Sequence, residues 1–250
     1  MQKMDNFSSF IYNAVTENAA ALGYDPQSSE LQPLCDRLGQ YLWELLDVNT
    51  RINLTAIKDP AEAALKHIAD SLTVTQFVPE NAKVIDVGTG GGLPAIPLAL
   101  ARKDVRVCAL DGTGKKIAFI RDTIEKMGIA NAGAINGRAE ELSHTREFRE
   151  AFDCATARAL ARLNVLLELC LPFVKVGGVF ISMKGPQAAD EIAEATKALK
   201  VLGGEIIENK TMSLTFQGST VERSLIIIKK VAPTPENYPR NNSSINKNPL

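Results

Sequence analysis

Apolar residues recur at helical spacing over the first 78 residues, at Phe7, Phe10, Ile11 and Val15, then at Leu34, Leu38, Leu42, Leu45 and Leu46. A turn-rich stretch, residues 23–29, separates these two helices. A further helix over 61–77 runs into Pro79, a natural boundary. From residue 83 the pattern changes to short apolar runs alternating with helical segments, the signature of βαβ units around a parallel sheet. The runs predict strands over 84–87, 105–110, 132–136, 153–156 and 179–183. Helices are predicted over 94–102, 115–127, 139–150, 163–174 and 188–202. The helix over 115–127 sets Ile117, Ile120, Ile124 and Met127 on one face, which reads as core. After Leu202 two consecutive strands, 205–216 and 224–230, joined by Gln217, Gly218 and Ser219, predict an antiparallel hairpin on the sheet edge. The fold class is therefore α/β, with a Rossmann-like, mostly parallel sheet, an antiparallel edge hairpin and a small helical region in front. The organisation reads as a helical region (1–78), a sheet domain (79–230) and an irregular tail (231–250) with four prolines and five asparagines.

Charge changes this picture little. The 250 residues carry 28 Lys and Arg against 29 Asp and Glu, so no global positive field announces a nucleic-acid partner. The distribution is uneven: residues 1–78 hold five basic against ten acidic residues, and 79–250 hold 23 against 19. An anionic partner should meet the second part. The longest uncharged run, residues 87–101, is broken by glycine and proline and is too short to span a bilayer. The start, MQKMDNFSSF, has no apolar signal region, so a soluble cytoplasmic protein with no membrane partner is expected. Cys35, Cys108, Cys154 and Cys170 have no CxxC spacing and no nearby histidine, which predicts reduced thiols and no metal site.

The most informative segment is residues 83–94, KVIDVGTGGGLP, a strand running into glycines and then into a proline-started helix. Gly88, Gly90 and Gly92 permit positive φ and remove side chains, so the backbone can lie against a ligand. A dinucleotide fingerprint starting at Gly88 would need a glycine at 93, where the chain has Leu93. Asp111 follows the second strand 23 residues after Gly88. Its carboxylate suits the two hydroxyls of an adenosine ribose, or equally a cap on the next helix. After the third strand come Arg138, Ala139 and Glu140, where a backbone amide and a short polar side chain could meet an adenine edge.

The spacing D-x-G-x-G-x-G from Asp86 resembles the loop of S-adenosylmethionine-dependent methyltransferases. More of the chain resembles one family in particular, RsmG, also called glucose-inhibited division protein B. The likeness is carried by Asn53-Leu-Thr55, residues 67–72 (HIADSL), the LPAIP continuation of the loop, Leu110-Asp111 with Lys115-Lys116, Arg138-Ala-Glu140, Arg158-Ala159, Lys184-Gly185, Tyr238-Pro-Arg240 and the closing Asn248-Pro-Leu250. The resemblance implies methyl transfer from S-adenosyl-L-methionine to N7 of a guanine in 16S ribosomal RNA, met within the small subunit or an assembly intermediate. It also implies cofactor contacts from Asp86, Gly88, Gly90, Gly92, Leu93, Asp111, Ala139, Glu140 and Arg158. Leu93, Ala95 and Gly112 depart from the residues common in that family, which puts cofactor affinity in question.

Guanine N7 carries no proton, so the reaction needs alignment and exclusion of water, not a general base. Arg158, after the fourth strand, and Lys184, after the fifth, are the candidates for groups beside the reacting centre. Their alternatives are a salt bridge across the crevice and a solvated strand-end lysine. His67 and Asp70 share a helix face and read equally as a structural polar pair. Phosphate contacts could come from Arg102, Lys103 and Arg106, from Lys115, Lys116 and Arg121, or from Arg240 and Lys247. Other classes remain on the table: a small-molecule or protein methyltransferase on the same fold, and a non-catalytic ribosome assembly factor that kept the loop. A dehydrogenase is disfavoured by Leu93.

Overall fold

The computed structural model describes residues 2–250; Met1 lies outside the described residues. Seven strands form one sheet: β1 (Lys83–Val87), β2 (Arg106–Asp111), β3 (Ala132–Asn136), β4 (Phe152–Arg158), β5 (Val174–Lys184), β6 (Gly204–Phe216) and β7 (Ser219–Lys230). Their order is β3-β2-β1-β4-β5-β7-β6. The first five pair in parallel, and β7 pairs antiparallel with both β5 and β6. Strand order therefore reverses direction between β1 and β4, the point of an open α/β sheet where ligands bind beyond the carboxyl ends.

Residue alternation along each strand divides the core in two. Val84, Cys154, Ile181 and Ile227 face one apolar cluster; Ile85, Ala155, Phe180 and Ile228 face the other. The first cluster is shared with α1 (Gln2–Glu17), α2 (Ala19–Leu22) and α3 (Leu31–Val48), through Ile11, Val15, Leu22, Leu38, Leu42 and Leu45. The amino-terminal region thus has its core in common with the sheet. It is tied down by polar contacts too: Asn18 donates to Thr215 O at 2.7 Å and accepts from Thr215 N at 2.8 Å. On the same face lie α6 (Ala95–Ala101) and α7 (Gly114–Met127), the latter burying Ile117 and Ile120 as its periodicity predicts.

The stretch predicted as a helix over 61–77 is helical but not uniform. It opens as α4 (Pro60–Ala63), capped by the Asp59 carboxylate on Glu62 N, and loosens into a π-helical turn over Ala64–Ala69. It closes through α5 (Asp70–Leu72) and a 3-10 turn, Thr73–Gln76. The predicted helix over 139–150 stops after one turn, α8 (Ala139–Leu142). That over 163–174 is α9 (Leu163–Cys170) followed by a 3-10 turn, and that over 188–202 splits into α10 (Ala188–Glu194) and α11 (Thr196–Leu202). The hairpin is tighter than predicted. Gln217 and Gly218, at φ 50° and 76°, form a two-residue turn, so β7 begins five residues earlier than its apolar run.

The tail is irregular apart from α12 (Asn242–Lys247), yet it is pinned to the second face. Arg149 donates to the carbonyls of Thr234, Pro235 and Tyr238. Arg240 donates from its backbone N and its guanidinium to Glu168, a fully buried carboxylate. A buried charge persists only when paired in this way.

Candidate active site

The loop after β1 is closed by its own backbone. Gly88 N and Thr89 N both donate to Leu110 O, at 2.8 and 3.0 Å, and Gly92 N and Leu93 N both donate to Thr89 O. Gly88, Gly90 and Gly92 have φ of 73°, 61° and 97°, the left-handed region that the sequence pattern anticipates. The three have different surroundings. A Cβ at Gly88 would lie 2.8 Å from both methyl carbons of Leu160, whereas one at Gly90 would meet open space. Gly88 is thus a packing requirement and Gly90 an open cradle. Asp111 joins the second strand end to this cradle: one carboxylate oxygen accepts Gly90 N at 3.0 Å and the other accepts Thr113 N at 2.8 Å. Asp111 thereby braces the glycine loop with one oxygen and the turn before α7 with the other.

Beneath the loop Asp86 is fully buried. One oxygen accepts the Thr156 hydroxyl at 2.8 Å, while the other, like the Thr89 hydroxyl, has no partner. Burial pushes the Asp86 carboxyl up to about 6, opposed by nearby Thr89 and Thr156 and by the Arg158 charge. The floor of the loop comes from the amino-terminal region, a contribution the sequence pattern hides. Tyr41 of α3, fully buried, donates its hydroxyl to Gly91 O at 2.8 Å. Leu45 and Leu54 pack where a Gly91 side chain would otherwise be. Leu54 is positioned by Asn49, whose side-chain oxygen accepts from Leu54 N and Thr55 N.

Beside the loop, at the ends of β4 and β5, a cavity of about 570 Å³ is lined by Lys66, His67, Asp70, Arg158, Leu160 and Arg223, among others. Its polar wall is organised by Asp70. One carboxylate oxygen accepts Arg158 Nη1 at 3.0 Å, and the other accepts Arg223 Nε at 2.8 Å. Arg158 also donates to Lys66 O. Arg158 therefore makes the salt bridge weighed from sequence and at the same time lines the cavity. His67 Nδ1 faces Lys66 O at 3.2 Å and Nε2 faces the Thr55 hydroxyl at 2.6 Å. A carbonyl only accepts, so Nδ1 carries the proton and Nε2 accepts from Thr55. Burial, then the Arg158 charge, lowers His67 to about 4, so the ring is neutral at physiological pH.

Of the other predicted site residues, Lys184 lines the same cavity and the rest lie outside it. Lys184 is not a solvated strand-end lysine: it is buried, donates to Ala161 O at 2.6 Å and pairs with Glu191 at 2.6 Å. Leu93 is buried in the first apolar cluster, and Ala139 and Glu140 are half-buried at the start of α8. At Gly112 a Cβ would lie 3.3 Å from the Arg138 side chain, which covers that position. Of the proposed phosphate contacts, Arg102 is spent on Asp104 and on the carbonyls of Thr75 and Val78, and Arg240 on Glu168. Nothing in the sequence pattern singles out Arg223, Tyr41 or Leu160. Arg223 lies in a strand whose register was set too late, and the Tyr41 ring fits the apolar stripe of α3 so well that its hydroxyl gives no separate signal.

A profile of the family described as rRNA small subunit methyltransferase G matches residues 34–220. A protein named ribosomal RNA small subunit methyltransferase G from Lactobacillus delbrueckii subsp. bulgaricus is 44% identical over 214 residues, 84% of this chain and 89% of that protein. Its namesake from Clostridium beijerinckii is 38% identical over 243 residues, covering 96% and 98%. Among solved structures, an O-methyltransferase from Bacillus cereus in complex with SAH superposes with a TM-score of 0.53 at 20% identity, over 76% of this chain and 91% of that one. M. jannaschii TYW2 in complex with AdoMet does so with a TM-score of 0.54 at 15% identity, over 73% and 80%. These two share the fold. The matches over most of the chain's length show that it belongs to the GidB family, rRNA small subunit methyltransferase G.

Proposed function

We propose that this chain transfers a methyl group from S-adenosyl-L-methionine to N7 of a guanine in 16S ribosomal RNA, acting in the cytoplasm on the small subunit or an assembly intermediate. The observation that carries the reading is family membership over residues 34–220 with the loop, Asp86 and Asp111 in place. The residues fit the cofactor. Gly90 leaves an open cradle, and Asp86 and Thr89 leave two polar atoms beneath the loop without partners. Each Asp111 oxygen accepts one backbone N–H and keeps a further lone pair for a ribose hydroxyl. When bound, S-adenosyl-L-methionine supplies an electrophilic methyl group on a sulfonium.

The chain's own task is positioning. N7 has a lone pair and no proton, so no base need act, and the one histidine of the cavity is engaged at both nitrogens. Arg158 and Arg223, held by Asp70, give the cavity a cationic wall of fixed direction beside the loop, suited to an RNA nucleotide. Holding the base and the methyl donor in line is worth several kcal/mol of barrier, about 7 or more at best. The test is transfer of labelled methyl from S-adenosylmethionine to small subunits from a strain lacking this gene, followed by nucleoside analysis. Labelled 7-methylguanosine is expected; label in another nucleoside, or none, refutes the assignment.

A further inference from the structure

A cavity of about 1040 Å³ lies at the opposite end of the sheet from the glycine loop. It is bounded by the amino ends of β1, β2 and β4 and the loop before β3, and its lining includes Arg37, Lys83, Lys103, Arg106, Asp104 and Asp153. The two acids are already engaged. Asp104 is gripped by the Arg102 guanidinium, which holds its carboxyl far below the usual range, and it also accepts Asn81 N. Asp153 accepts from Lys175 and from Lys83 N. The groove's cations are not engaged in this way: among the described residues, Lys83, Lys103 and Arg106 form no ion pair, and all three are exposed. Arg37 spends one nitrogen on Met127 O.

Lys83 and Arg106 are also register partners in the parallel pairing of β1 with β2. Like charges at paired positions oppose sheet formation, and while the Lys83 ammonium lies 4.4 Å over the Phe152 ring, fold stability gives Arg106 no such reason. An anion laid along the groove gives one, because a concave surface with an excess of positive charge concentrates counter-charge. The floor is open as well: a Cβ at Gly128 or Gly133 would touch nothing within 4 Å, so a backbone as wide as a phosphodiester can approach closely. We propose that this groove docks the phosphate backbone of the RNA substrate, a second contact remote from the cavity beside the loop. The inference rests on the RNA reading above. β1 spans about 13 Å from Lys83 to Val87, so one ribosomal particle can engage both ends of the sheet at once.

The test compares wild type with Lys103→Glu/Arg106→Glu and with Lys103→Ala/Arg106→Ala. Binding to unmethylated small subunits is measured by cosedimentation across a salt series, beside calorimetric binding of S-adenosylmethionine and thermal melting. The groove predicts subunit binding weakened about tenfold or more, most in the charge-reversed variant. The log–log salt slope of the alanine variant should be shallower by about 1.5, the loss of two phosphate contacts. Cofactor affinity should be that of wild type and the melting temperature no lower, since loss of Arg106 relieves its repulsion with Lys83. Folded variants that bind subunits as wild type does, with an unchanged salt slope, overturn the proposal. So does an equal loss against a short polyphosphate without any loss against subunits, which would mark a site for small anions. Methyl incorporation by the wild type is scored separately, so a failure of the proposed activity is not mistaken for a failure of the groove.

Discussion

Tyr41→Phe isolates what the amino-terminal region does for the glycine loop. The ring is fully buried and burial holds its phenol protonated far above its usual range, so the hydroxyl is a permanent donor to Gly91 O. Phenylalanine keeps the ring in place and removes only that hydrogen bond. The loss leaves the Gly91 carbonyl without a protein partner in a site lined by Leu45 and Leu54. A buried acceptor so orphaned costs about 1–3 kcal/mol. Taking about 2 kcal/mol, a chain of this size should melt about 4–8 °C lower. Because Gly91 stands between Gly90 and Gly92, slack at its carbonyl is slack in the cradle itself, and the S-adenosylmethionine dissociation constant should rise at least about fivefold, the equivalent of 1 kcal/mol. Calorimetric titration and scanning calorimetry on the same preparation read both. Leu45→Ala is the comparison, since it opens a cavity worth about 2–5 kcal/mol at the same loop without touching the hydrogen bond. A Tyr41→Phe protein that melts within a degree of wild type and binds the cofactor equally well refutes the reasoning.

Three further outcomes follow from the site. Arg158→Ala leaves Asp70 paired with Arg223, so stability should fall by only about 1–3 kcal/mol while methyl transfer falls at least about a hundredfold; parallel losses in melting temperature and rate would reduce Arg158 to a structural role. His67, at about 4 when folded against 6.5 as its ordinary value, is protonated first in the unfolded chain, so its contribution is complete above pH 6.5 and is lost as pH falls toward 4. His67→Gln should therefore lose about 2 kcal/mol less than wild type between pH 7 and pH 5 in urea unfolding, and identical pH slopes would contradict this. Asp86 runs the other way: its folded value of about 6 exceeds 3.8, so its ionisation destabilises the fold as pH rises from about 4 to 6 and the penalty is complete above 6. Asp86→Asn should be stabilising by up to about 3 kcal/mol more at pH 8 than at pH 4 in the ligand-free protein, yet bind S-adenosylmethionine more weakly; a pH-independent difference would show that the carboxyl is not buried as described.

The elements most legible in the sequence are those whose signal is local. Strand residues alternate between two apolar clusters, so the runs at Val84, Val179 and their neighbours declare themselves, and the glycines at 88, 90 and 92 stand at the positive φ values their spacing suggests. The helix predicted over 139–150 fails because only its first turn is helical; Glu150 then takes a φ of 46° and donates its N–H to Pro172 O, which ends any helix there. The same limit governs the site. Asp86 and Asp111 are legible because each sits at a fixed offset from a strand end. Arg223 reaches Asp70 across 153 positions, a partnership settled by the sheet order and by nothing near either residue. For Lys184 the sequence leaves open a place beside the reacting centre or a solvated strand end, because its partner, Glu191, belongs to a helix whose approach to the strand end is a tertiary fact.

The triad Arg158–Asp70–Arg223 also fixes when the site comes into being. Its members come from the early helical stretch, the middle of the sheet and the last strand, so the wall closes only after β7 has paired with β5. During synthesis the loop and Asp70 leave the ribosome well before Arg223 does, and until then one oxygen of a nearly buried carboxylate waits without its cation. A nascent chain ending before β7 can possess every glycine of the loop and still lack the Arg223 side of this wall. Completion of the wall is thus a property of the finished chain, acquired late.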